Sequence, residues 1–162
     1  MTFNKIDKKE SVFSSEAAGV KEVYLSSDGL VELVLGDPLK VVSMCNAAVC
    51  TSGTVTLECA LMGVPQIVVY KTHPLSYLIA KKLITLPYIS LPNLIADKEI
   101  IPEFIQNFSH DEMAAKIMGL LRKDPSYHQM NNDYAMMKGK LKPDGPKNVI
   151  QSLINHNLID FK

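Results

Sequence analysis

The sequence predicts an α/β protein with a short parallel sheet and a helix-rich C-terminal half. Two observations carry that expectation. Between Ala47 and Tyr70, two uniformly apolar runs of strand length flank a helical run, a β–loop–α–β unit in under thirty residues. Beyond Tyr88, most of the chain repeats its apolar residues at helical spacing. The 162 residues suit one domain with a real core, too short for two full-sized lobes around a cleft. A composition 47% hydrophobic and 21% charged excludes wholesale disorder.

Residues 1–20 are polar and weakly patterned and form a lead-in with no apolar signal-peptide run. Residues 21–162 form the folded unit. Glu22–Leu25 and Val31–Leu35 read as strands, separated by the turn residues Ser26, Ser27, Asp28 and Gly29. Asp37 followed by Pro38 reads as an N-cap and first helical residue, opening a helix to about Cys45. Ala47–Cys50 is the first buried strand, broken by Thr51-Ser52-Gly53. Thr54–Met62 is a helix closed by Gly63 with Pro65 just beyond, and Gln66–Tyr70 is the second buried strand. Such a unit builds a parallel sheet with right-handed crossovers.

Pro74–Leu86 has helical spacing, Tyr88–Ser90 is extended, and Leu91-Pro92-Asn93 reads as a loop. Pro102–Asn107 reads as one or two helical turns. His110–Lys123 is an amphipathic helix with Ser109 as N-cap, and helices follow over Pro125–Leu141 and Pro146–Asn157. The eight methionines, several of them in these helices, suit adaptable packing.

Seventeen basic against seventeen acidic side chains, with a pI near 6.9, provide no global field to recruit nucleic acid. Cys45, Cys50 and Cys59 have neither zinc-ligand spacing nor the even count of a disulfide framework, and read as reduced thiols of a cytosolic protein. No metal or cofactor is expected, and no apolar stretch reaches membrane-spanning length.

Chemistry concentrates where the first buried strand meets its helix. Ligands of open parallel sheets bind at the carboxyl ends of strands, beside helix N-termini whose free N–H groups and dipole favour a phosphate. Gly53 allows close backbone approach, and Ser52 and Thr54 add hydroxyl donors. The alternative is that Ser52 or Thr54 simply caps the helix. Glu58, one turn further along an otherwise apolar helix, suits a ribose diol; equally, it suits a solvated face or an ion pair with a lysine.

Four blocks carry a resemblance. Thr51-Ser-Gly-Thr-Val-Thr-Leu-Glu-Cys-Ala-Leu-Met-Gly-Val-Pro65 is followed by Ile67-Val-Val-Tyr-Lys71, then Pro87-Tyr-Ile-Ser-Leu-Pro-Asn-Leu-Ile95 and Ile101-Pro-Glu-Phe-Ile-Gln106. In this order and spacing they resemble lipid-A-disaccharide synthase, from about Asp37 to Lys123. The resemblance implies an incomplete C-terminal, UDP-sugar-binding lobe, with a partial Rossmann-like sheet, of a two-lobed GT-B glycosyltransferase. That family transfers diacylglucosamine from UDP onto diacylglucosamine 1-phosphate in lipid A biosynthesis. By position, Ser52, Gly53 and Thr54 would face the diphosphate of UDP or UDP-diacylglucosamine. Glu58 would bind the ribose, and Asn93, Glu103 and Gln106 would line the cleft. Lys71 stands where the family often has arginine, keeping the charge without bidentate phosphate recognition. The location implied is cytoplasmic, peripheral on the inner membrane of a Gram-negative-type bacterium.

The departures bear on activity. The family's N-terminal lobe, with its acceptor site and acid–base residues, and the glycine-serine-arginine loop of its C-terminal lobe have no counterpart in these residues. No catalytic residue is named: Asp28 and His73 match no catalytic position, and His73 before Pro74 suits a turn. The chain alone is therefore expected to be inactive. Other readings are a fragment of another UDP-sugar transferase and a non-catalytic remnant that binds nucleotide or a partner. A sheet edge left open would favour self-association or pairing with a missing lobe. The helix over Pro74–Leu86, with Tyr77, Lys81 and Lys82, suits either a core position with its lysines in solvent or an anionic membrane surface.

Overall fold

The computed structural model describes residues 2–5, 22–73 and 86–141. The helices expected over Pro74–Leu86 and Pro146–Asn157, and nearly all of the lead-in, lie outside these residues.

Two three-stranded sheets are present among the described residues. The first is antiparallel, in the order β1 (Phe3–Lys5), β2 (Glu22–Ser26), β3 (Glu32–Leu35). Its hairpin turn is fixed by Asp28, whose carboxylate accepts from Ser26 Oγ at 2.6 Å and from the Leu30 amide at 3.2 Å. Those donors hold the Asp28 carboxyl below the usual range, the Ser26 hydroxyl most of all. A strand within the lead-in was not expected. Phe3–Lys5 takes its conformation from pairing with β2, which no local pattern in those residues announces.

The second sheet is parallel, in the order β4 (Ala48–Thr51), β5 (Gln66–Tyr70), β6 (Glu103–Ile105). Helix α1 (Pro38–Ser43) precedes it, with Asp37 capping the Leu39 amide at 3.1 Å. Helix α2 (Thr54–Met62) links β4 to β5 and ends as expected. Gly63 takes φ 77°, and the Val64 amide returns to the Cys59 carbonyl at 2.9 Å.

Two segments depart from the sequence reading. Leu91-Pro92-Asn93, read as a loop, opens helix α3 (Leu91–Ala96) with Ser90 as N-cap; its proline occupies the first turn, where a missing N–H costs nothing. Pro102–Asn107, read as helical, contains strand β6, which exists because β5 offers it a parallel partner. Helices α4 (His110–Leu121) and α5 (Pro125–Lys140) complete the described chain, capped by Ser109 and Asp124.

The main core joins Ile67 and Val68 of β5 to Ala60 of α2, Leu120 of α4, and Met130, Tyr134 and Met137 of α5. A smaller cluster holds Cys50, Cys59 and Val64 beneath the β4–α2 turn, with Cys45 at its margin. The three cysteines are free thiols. Lys98 closes the assembly from the far end of α3 by an ion pair with the buried Asp133 of α5. No helix among the described residues is long and apolar enough to cross a membrane.

Candidate functional site

In a parallel sheet all strands end on the same side. Thr51, Tyr70 and Ile105 therefore share one edge, and the segments that leave it carry Ser52–Thr54, Lys71–His73 and Gln106. That edge is where an open parallel sheet binds its ligands.

The turn from β4 into α2 is built on Gly53, at φ 155° and ψ −169°, a region open essentially to glycine alone. A Cβ there would meet nothing within 4 Å, so backbone conformation rather than crowding demands glycine. Gly53 is the N-cap residue, and no side chain caps the first turn of α2. Ser52 does not cap the helix: its Oγ donates to the Ile89 carbonyl at 2.7 Å. The Thr56 hydroxyl turns back to the Gly53 carbonyl, also at 2.7 Å. The capping alternative for Ser52 and Thr54 is therefore not what the chain does.

The eight residues singled out by sequence divide into two groups. Ser52, Asn93, Glu103 and Gln106 are hydrogen-bonded to protein groups. Buried Asn93 donates to the Ile101 carbonyl and to Glu103 Oε1, both at 2.8 Å, and accepts from the Ile100 and Ile101 amides. Glu103 accepts from the Ile89 and Ser90 amides and from the Ser90 hydroxyl. Gln106, at φ 59°, clamps Thr72 through both main-chain groups, at 2.7 and 3.1 Å. Thr54, Glu58 and Lys71 form the other group with Gly53. Among the described residues, their side chains have no hydrogen-bond or ion-pair partner. Thr54 and Glu58 stand four apart on α2 and so share a face, while exposed Lys71 leaves β5 at the same sheet edge.

Beneath the loop, Cys50 and Cys59 bring their Sγ atoms to 3.7 Å. The shared S–H···S contact holds the Cys50 thiol below its ordinary range and pushes Cys59 above it.

Two cavities lie elsewhere. Volumes of about 290 and 580 Å³ open beside β6, α4 and α5, around Glu99, Pro102, Lys116 and Ser126. Of the eight candidate residues only Glu103 touches either one. The sheet edge is preferred on chemical grounds: the elements that start or end there carry the unspent Thr54 hydroxyl, Glu58 carboxylate and Lys71 ammonium, beside an uncapped helix start. The Ile89 carbonyl and the Ser90 and Thr72 main-chain groups went unnoticed in the sequence, since a backbone partner carries no side-chain signature.

A match over most of the chain decides the family. The lipid-A-disaccharide synthetase family profile matches residues 10–143. This chain belongs to that family. It is 41% identical to the lipid-A-disaccharide synthase of Geobacter sulfurreducens over 124 residues, which is 75% of this chain and 32% of that protein. It is 36% identical over 113 residues to the Acidobacterium capsulatum enzyme of the same name, 69% of this chain and 28% of that one. For Blochmanniella pennsylvanica the identity is 38% over 130 residues, 80% of this chain and 30% of the relative. The chain thus spans about a third of the length of these relatives. No solved structure matches it.

Proposed function

We propose that this member of the lipid-A-disaccharide synthetase family binds the UDP-sugar donor of lipid A assembly, UDP-diacylglucosamine. The observation that carries the reading is the cluster left unspent at the parallel sheet's edge: an uncapped helix start, Thr54, Glu58 and Lys71. The diphosphate rests on the backbone of Ser52, Gly53 and Thr54, where free amides and the α2 dipole meet its charge. The ribose diol donates to the Glu58 carboxylate, and Lys71 supplies a point countercharge. Asn93, Glu103 and Gln106 shape the floor and sides of the same site.

On this reading residues 21–162 correspond to part of the C-terminal lobe of a GT-B glycosyltransferase, working at the cytoplasmic face of the inner membrane. The acceptor, diacylglucosamine 1-phosphate, and the base that activates its hydroxyl are met by other polypeptide, joined in part through the open edge of β4.

Calorimetric titration of the full chain with UDP tests the donor site. Micromolar binding is expected, weakened at least tenfold in Glu58→Ala, about 1.4 kcal/mol or more. Absence of binding by the folded wild-type chain would remove the reading.

A further inference from the structure

We propose that Glu103 is a positioning residue that sets the Ser52–Thr54 loop through the Ile89–Ser90 turn. Four donors converge on its carboxylate. The Ile89 amide lies 3.0 Å from Oε2; the Ser90 amide, the Ser90 hydroxyl and Asn93 Nδ2 lie 2.9, 2.7 and 2.8 Å from Oε1. Three of these bonds fall on Oε1 and one on Oε2, so most of the acceptor capacity of the carboxylate is spent on holding the Ile89–Ser90 turn and Asn93. Bonds to an ionised acceptor are the stronger class, and their effect here is to fix one short stretch of backbone.

That stretch leads directly to the loop. The Ile89 residue held by Glu103 through its N–H accepts the Ser52 hydroxyl through its C=O, at 2.7 Å. Ser52 adjoins Gly53, whose positive φ makes the loop conformation dependent on its surroundings. The other end of the relay is anchored by Asn93, which ties α3 to the Ile100 and Ile101 backbone just before β6. Ser52 and Ile89, separated by 37 positions in the chain, are thereby linked through a turn that the Glu103 carboxylate holds.

The inference rests on the reading that this loop holds the diphosphate of UDP, and its test separates the two. Glu103→Gln keeps the size of the side chain but turns an amide N–H₂ toward donors. Amide hydrogen exchange is expected to rise at least tenfold at residues 51–54 and 88–90, with α5 unchanged. UDP affinity falls at least tenfold in parallel. In a double-mutant cycle with Ser52→Ala, the loss from Glu103→Gln shrinks to under threefold, because the relay is already cut. A general loss of stability would instead add to the Ser52→Ala effect. Should Glu103→Gln fail to fold, Ser90→Ala removes one donor and keeps the carboxylate; the same segments then gain exchange by about threefold. Unchanged exchange at 51–54 in a folded variant, or additive losses in the cycle, overturns the positioning role. Failure of the wild-type chain to bind UDP overturns the ligand reading and leaves the exchange result to decide this one.

Discussion

At the scale of single residues, burial and hydrogen-bond accounting sort side chains that the sequence cannot tell apart. Ser52, Glu58, Asn93 and Glu103 are all polar residues in motif positions, yet among the described residues only the Glu58 side chain makes no hydrogen bond. Asn93 and Glu103 read equally well as ligand contacts in the sequence because their partners lie in other segments or in the main chain. Gly53 is the opposite case, legible at once because a glycine between a strand and a helix signals a turn few residues can make. Its φ of 155° predicts that Gly53→Ala strains the loop by about 1–3 kcal/mol, although the added methyl has open space around it. Chemical denaturation checks the cost, and UDP titration of the folded variant is expected to show weaker binding.

At the scale of elements, the β4–α2–β5 unit was legible to within a residue at each end, because breakers marked its internal boundaries: Gly53, Gly63 and Pro65. Strand β6 was not legible. Three residues hold no periodicity, and only pairing with Val68–Tyr70 makes them a strand. Helix α3 was missed because Pro92 reads as a breaker when its position in the first turn is unknown. Among the described residues the parallel sheet also has β4 at one edge, with no charged residue or proline in the strand to blunt it and Val49 57% exposed. Unprotected edges of this kind recruit another strand. Sedimentation analysis at rising concentration is expected to show self-association through β4, reduced by Val49→Lys. A monomer over the whole range would count against an available edge.

At the scale of the molecule, one buried phenol ties both sheet-side helices to the core. Tyr134 of α5 lies against the β5 and α2 packing, its hydroxyl 3.3 Å from Gln66 Nε2 and 3.4 Å from the Val64 carbonyl. Burial pushes its pKa well above the ordinary phenol range. The neutral form is thus favoured by the fold, so its contribution is complete below about pH 10 and is lost as pH rises beyond. Each unit above that point costs about 1.4 kcal/mol until the folded phenol itself ionises. Thermal unfolding between pH 9 and 11 is expected to show a steeper loss for the wild type than for Tyr134→Phe.

The central claim is that the unspent residues at the parallel sheet's edge receive the nucleotide, while the spent ones hold the edge in shape. Titration of the isotopically labelled full chain with UDP, followed by amide chemical shifts, tests it most directly. The largest changes are predicted at Gly53, Thr54, Val55, Glu58 and Lys71, with smaller ones passed to Ile89 and Ser90. Changes centred instead on the cavity around Glu99, Lys116 and Ser126, with the β4–α2 turn silent, would contradict it.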